Sequence, residues 1–117
     1  MSKALRVLIV DDDGAIRQLL KSVFEGEGFG VDEAVNGADA MNRLQDTEPD
    51  AILLDLMMPV MDGWTFLDKC RSLRGDIPVV VMSASHDFPQ GPQVRASFRK
   101  PFDLDEVLRA VEGAIAA

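Results

Sequence analysis

The chain has one cysteine, few cationic residues and no long apolar run, and each shortage excludes something. The lone Cys70 rules out an intramolecular disulfide and fits a reducing, cytoplasmic setting. No apolar stretch approaches the roughly 20 residues of a membrane span. The N-terminus, Met1-Ser2-Lys3-Ala4-Leu5-Arg6, does not read as a signal peptide, because its charges flank a short apolar run better suited to a strand. Lys and Arg number 12 against 20 Asp and Glu, a formal net charge of −8. That balance argues against direct nucleic-acid binding through the overall field, which needs clustered cations. It also keeps a small protein monodisperse, as a monomer or weak dimer. Internal repeats, low-complexity tracts and linkers are missing too.

What remains is one domain over residues 1–117, with 47% hydrophobic residues, enough for a single core. Strand and helix patterns alternate, which predicts a parallel sheet with helices on both faces. The first strand covers about Arg6 to Val10. Asp13 caps a helix with the stripe Ile16, Leu19, Leu20, Val23 and Phe24, closed by Gly26 and Gly28. A weak strand at about Gly30 to Ala34 leads to the turn Asn36-Gly37 and a short helix burying Ala38, Met41 and Leu44. The third strand, Ala51 to Leu54, ends in Asp55. A loop to Gly63 precedes a helix over about Trp64 to Leu73, with Trp64, Leu67 and Cys70 on one side. The fourth strand, Val79 to Met82, ends at Ser83. A fifth, about Arg95 to Arg99, leads into Lys100-Pro101-Phe102 and a last helix opened by Asp103 with Glu106 in a capping box.

The run Val7 to Val10 is β-branched and uninterrupted, as in a strand buried on both faces, yet it ends in Asp11-Asp12-Asp13. Packing does not call for adjacent carboxylates there, since like charges repel and are costly to desolvate. At the carboxyl end of a parallel strand they lie where open α/β sheets bind ligands. A hard divalent cation is the natural ligand for such a cluster. Asp55, Ser83 and Lys100 end three other strands, so acid, hydroxyl and ammonium converge on one sheet edge.

These motifs, LIVDDD, LLDLMMPVMDG, Met82-Ser83-Ala84 and Lys100-Pro101-Phe102, resemble the receiver domain of bacterial two-component response regulators, of the chemotaxis-regulator type. They fall in the family's order over nearly the whole chain. The resemblance implies a flavodoxin-like, doubly wound sheet of five parallel strands in the order 2-1-3-4-5. It implies that Asp55 accepts a phosphoryl group from a sensor histidine kinase or phosphotransfer protein. Mg²⁺ would be held by Asp12 directly, by Asp11 directly or through water, by Asp55 and by the backbone carbonyl of Met57. Lys100 would pair with Asp55 and then with a phosphoryl oxygen, and Ser83 would donate to another. The protein would catalyse its own phosphorylation and dephosphorylation without being an enzyme on outside substrates, and would signal by a conformational change to a downstream protein. Pro101 resembles a proline that the family often uses in cis. Met57, two positions after Asp55, is expected to shield the phosphoryl group. Asp13 is expected to be a helix cap, Asp62 a turn residue, and the lone His86 a structural or solvent-facing group.

The chain also departs from the family. Only 16 residues, Ala84 to Arg99, separate Ser83 from Lys100, and they include Pro89, Gly91 and Pro92. The family's fourth helix is therefore expected to be shortened or absent. Where the family often carries a switching aromatic, three before the lysine, this chain has Ser97; Phe98 is the alternative switch residue. The segment before it is a candidate to order on phosphorylation. Two other readings stay open: a pseudo-receiver that binds partners without phosphorylation, and a small Mg²⁺-dependent phosphohydrolase with an Asp nucleophile. The chain reads either as a stand-alone receiver or as a piece of a larger regulator.

Overall fold

A computed structural model describes residues 4–117. Five strands alternate with helices: β1 (Arg6–Val10), α1 (Gly14–Gly26), β2 (Gly30–Ala34), α2 (Gly37–Asp46), β3 (Ala51–Asp55), α3 (Gly63–Arg74), β4 (Val79–Ser83), β5 (Val94–Arg99) and α4 (Leu104–Ala116). All strand pairs are parallel, in the order β2-β1-β3-β4-β5, as expected. Among the described residues no helix is long and apolar enough to cross a membrane.

The strands β1, β3 and β4 are apolar at almost every position because both of their faces are covered. Alternate residues divide between two cores. Leu8, Val10, Ile52, Leu54, Val79 and Val81 face Ala40 of α2 and Phe66, Leu67 and Cys70 of α3. Val7, Ile9, Leu53, Val80 and Met82 face Leu20 and Phe24 of α1 and Val107, Leu108 and Val111 of α4. A rigid double-sided core thus fixes the strand ends, and with them the groups that follow each strand.

The helix starts follow side-chain capping. Asp13 accepts from the amides of Ala15 and Ile16, Asn36 from Asp39, Asp62 from Thr65, and Asp103 from Asp105 and Glu106. Asp62 is therefore a helix cap more than a turn residue. Two expected core positions are on the outside. Leu19 is 57% exposed and Trp64 39% exposed. In α3 the inward positions go to Phe66, Leu67 and Cys70, and Trp64 sits at the rim of that stripe. In α1 the inward line runs through Leu20 and Phe24, and Leu19 flanks it.

The sheet ends differently at β4 and β5. Residues 84–93 contain only bends and a turn, so no helix joins these strands, as the prolines and glycine predict. The connection instead forms a strap. Phe88 packs against the core on the α2/α3 side. Gln93 is 5% exposed, and its Nε2 donates to the carbonyls of Ile77 at 2.8 Å and Arg74 at 3.0 Å. The Arg71 guanidinium reaches the carbonyl of Gln90. His86 lies in the strap with its Nε2 2.9 Å from the Arg99 guanidinium.

Candidate functional site

Four strands deliver the site. Asp11 follows β1 directly, and its amide donates to the Ala34 carbonyl at 3.1 Å. Asp55 is the last residue of β3, Ser83 the last of β4, and Lys100 the first residue after β5. The Lys100 amide donates to the Ser83 carbonyl at 2.8 Å, which ties the two strand ends together, and the Lys100–Pro101 peptide bond is cis.

The side chains converge as the strand ends imply. Carboxylate oxygens of Asp11, Asp12 and Asp55 all lie within 4.8 Å of one another. Asp11 is fully buried and Asp55 is 3% exposed, whereas Asp12 is open to solvent. Lys100 Nζ stands 3.0 Å from Asp11 Oδ2 and 3.6 Å from Asp55 Oδ2. The other Asp11 oxygen, Oδ1, accepts from the Asp13 amide at 2.9 Å. Asp13 thus does more than cap α1; its backbone also steadies Asp11.

The electrostatics follow from this crowding. Burial pushes the Asp55 carboxyl up to about 6, the charge of Asp11 adds to it, and Lys100 and the Met57 amide pull the other way. The group is still mostly ionised at neutral pH. Burial pulls the Lys100 ammonium down, but its hydrogen bond to Asp11 and the charges of Asp11 and Asp55 outweigh that, and the net direction is up. One ammonium, paired with Asp11 and Asp55, therefore stands against a cluster of three carboxylates. That excess of hard oxygen donors, with an open side at Asp12, fits a divalent cation.

The loop after β3 frames Asp55. The Met57 amide lies 3.4 Å from Asp55 Oδ1. A Cβ at Gly63 would collide with the Asp55 carbonyl, so only glycine lets α3 start this close. Val60 has φ +68°, a left-handed conformation that costs a side-chain-bearing residue roughly 1–2 kcal/mol. Met57 itself is 64% exposed, on the loop that leaves β3 beside Asp55.

Ser83 is buried one residue beyond Met82, the register partner of Asp55, and its Oγ accepts from the Ser85 amide at 3.1 Å. Ser97 pairs with Val81 and is exposed, while Phe98 pairs with Met82 and packs in the core on the α1/α4 side. The two switch candidates therefore face opposite sides of the sheet. Sequence reasoning missed Arg17, whose Nη1 donates to the Asp11 carbonyl at 2.7 Å. Its signal was its place one turn beyond the cap Asp13, on the helix that starts at the site. An apolar hollow of about 480 Å³ lies beside Lys100, lined by Ile16, Leu19, Pro101, Phe102 and Leu104.

Comparison with known proteins agrees with this geometry. The family model described as response regulator receiver domain matches residues 7–112. Sporulation initiation phosphotransferase F of Bacillus subtilis is 36% identical over 112 residues, covering 92% of this chain and 90% of that protein. Response regulator MprA of Mycobacterium tuberculosis is 37% identical over 113 residues, covering 90% of this chain but 48% of that protein. The chain thus spans about half the length of such larger relatives. Among solved structures, response regulator TrrA of Thermotoga maritima, in complex with Mg(2+)-BeF, superposes with a TM-score of 0.84 at 27% identity, covering 94% of this chain and 98% of that one. A CheY-like receiver domain protein of Methanospirillum hungatei shares the fold, with a TM-score of 0.87 at 23% identity, covering 97% and 95% of the two chains.

Proposed function

Because the chain belongs to the response regulator receiver family of two-component systems, we propose that Asp55 is its phosphoacceptor. The phosphodonor is a histidine kinase or phosphotransfer protein in the cytoplasm, and the readout is a conformational change offered to a downstream protein. The observation that carries this reading is the Asp55 carboxylate, set at a strand end against Asp11, Asp12 and Lys100.

The chemistry asks for little beyond placement. An Asp55 oxygen attacks the phosphorus of a phosphohistidine, the P–N bond breaks, and the imidazole nitrogen leaves with the electron pair and takes up a proton. The ionised state of Asp55 at neutral pH supplies the nucleophile. Lys100 is in reach of an Asp55 oxygen and so of a phosphoryl oxygen on it. The Ser83 hydroxyl, at the end of the adjacent strand, would donate to another. Asp11, Asp12, Asp55 and the Met57 carbonyl would hold Mg²⁺, which neutralises charge spread over the transferring group. The apolar hollow beside Lys100, with Leu19 exposed at its edge, offers the donor protein a docking surface next to the acceptor.

The test is direct. The protein is incubated with acetyl phosphate and Mg²⁺ and weighed intact by mass spectrometry, alongside Asp55→Asn. One hydroxylamine-labile phosphoryl adduct is expected in the parent chain and none in the variant. No adduct in the parent, or an equal adduct in both, would sink the assignment.

A further inference from the structure

Arg17 is a charged side chain that the phosphoryl chemistry leaves unused, and it sits directly behind the acidic pair. Its side chain is 18% exposed. Nη1 donates to the Asp11 carbonyl at 2.7 Å, while Nε donates to Glu33 Oε1 on β2 at 3.2 Å. Lys21, one turn further along α1, also reaches Glu33, at 3.6 Å. The guanidinium is thus held at a fixed place between α1, β2 and the end of β1.

The carbonyl it grips belongs to the peptide unit that joins Asp11 to Asp12. That unit is planar, so fixing its oxygen fixes the direction in which the Asp12 amide nitrogen and Cα leave the strand. Asp11 has further anchors in the Ala34 carbonyl, the Asp13 amide and Lys100. Asp12 has none: among the described residues no hydrogen bond or ion pair holds its carboxylate, which is exposed. The aim of Asp12 therefore depends on its backbone, which is pinned on its far side by the Asp13 amide on the Asp11 carboxylate and on its near side by Arg17 on the Asp11 carbonyl.

A purely electrostatic role would have the opposite sign. A nearby guanidinium repels a cation, so its removal would tighten metal binding. Glu33 faces Arg17 and offsets that charge, which leaves the directed hydrogen bond as the larger effect.

We propose that Arg17 is a positioning residue for the cation site: by holding the Asp11 carbonyl it aims Asp12, and so sets the affinity for Mg²⁺. The inference rests on the reading above, in which the acidic cluster takes Mg²⁺. It is tested by calorimetric Mg²⁺ titration without phosphodonor, on the parent chain, Arg17→Met, Arg17→Lys and Asp12→Asn. Loss of such an outer partner typically weakens metal binding about 10-fold or more, and that is expected for Arg17→Met. Arg17→Lys keeps the charge but loses the fork that spans carbonyl and carboxylate, so it should fail to restore full affinity. The Asp12 amide resonance of cation-free protein should move in both Arg17 variants, which a general loss of stability does not require.

If the parent chain binds no Mg²⁺, or Asp12→Asn binds it equally well, the metal reading itself fails. If the parent binds and Asp12→Asn does not, while Arg17→Met binds as tightly as the parent or more tightly, the positioning role is overturned. Should Arg17→Met not fold, Arg17→Lys decides, because parent-like affinity there overturns the proposal.

Discussion

Lys100 lies nearer to Asp11 than to Asp55, at 3.0 Å against 3.6 Å. From the end of β5 the side chain therefore reaches past β4 and β3 to the end of β1. Both Asp11 oxygens are engaged, one by Lys100 and one by the Asp13 amide. Among the described residues nothing engages the exposed Asp12 carboxylate. The two adjacent acids are thus unequal before any cation arrives: Asp11 is mainly an anchor for the lysine, and Asp12 is the open donor.

Removing the ammonium should expose that arrangement. Lys100→Met leaves Asp11 and Asp55 buried without their shared cation. In EDTA the variant should lose about 2–3 kcal/mol in a urea melt, since breaking a buried pair strands the remaining charge. Mg²⁺ should then raise the melting temperature of the variant more than that of the parent, because a bound cation takes over the neutralisation. Equal stability of the two proteins in EDTA would contradict this account.

Asp55 makes a separate prediction about pH. Its pKa is raised from 3.8 to about 6, with burial the main cause. A carboxyl raised on folding favours the protonated native state, so its stabilising contribution is full below pH 3.8 and is lost as pH rises through about 6. Asp55→Asn lacks this titration. In EDTA the variant should be the more stable at pH 7.5, by on the order of 3 kcal/mol, and the gap should close between about pH 6 and pH 4. Urea melts across that range check it. A gap independent of pH would mean that the carboxylate is not destabilised by its setting.

Much of this was legible in the chain. β1, β3 and β4 are buried on both faces, so their apolar runs stand out without any alternation to decode. Asp11, Asp12, Asp55, Ser83 and Lys100 could be placed because each directly ends such a run or, for Lys100, the strand that follows. The preference of Lys100 for Asp11 was not legible, because it depends on how far β1 lies across the sheet from β5. Arg17 was missed for a related reason: a helical residue that bonds to a backbone carbonyl leaves no mark on periodicity. Leu19 and Trp64 were misplaced because helical spacing gives a stripe but not its centre, and Leu20 and Phe66 took the inward positions.

The missing helix between β4 and β5 was legible from Pro89, Gly91 and Pro92, but its replacement was not. Gln93 uses one amide to serve the carbonyls of Arg74 and Ile77, at the end of α3 and just before β4, while its own Oε1 has no partner among the described residues. The buried ties of the strap to the body are Gln93 and Phe88, and Arg71 adds an exposed one at the Gln90 carbonyl. Gln93→Leu keeps the volume but leaves two carbonyls without that donor. Each lost bond to a buried group is worth about 1 kcal/mol, and removal of the unpartnered oxygen returns part of that, so a net loss of about 1–2 kcal/mol is expected. Amide exchange should quicken from Ser85 to Gln93 before it does in β1 or β3, because those strands keep both of their cores. Phosphorylation of Asp55 by acetyl phosphate should survive, since Lys100 is held by the Ser83 carbonyl rather than by the strap. Exchange that rises equally across the whole sheet would show that Gln93 supports the core as a unit and not the strap alone.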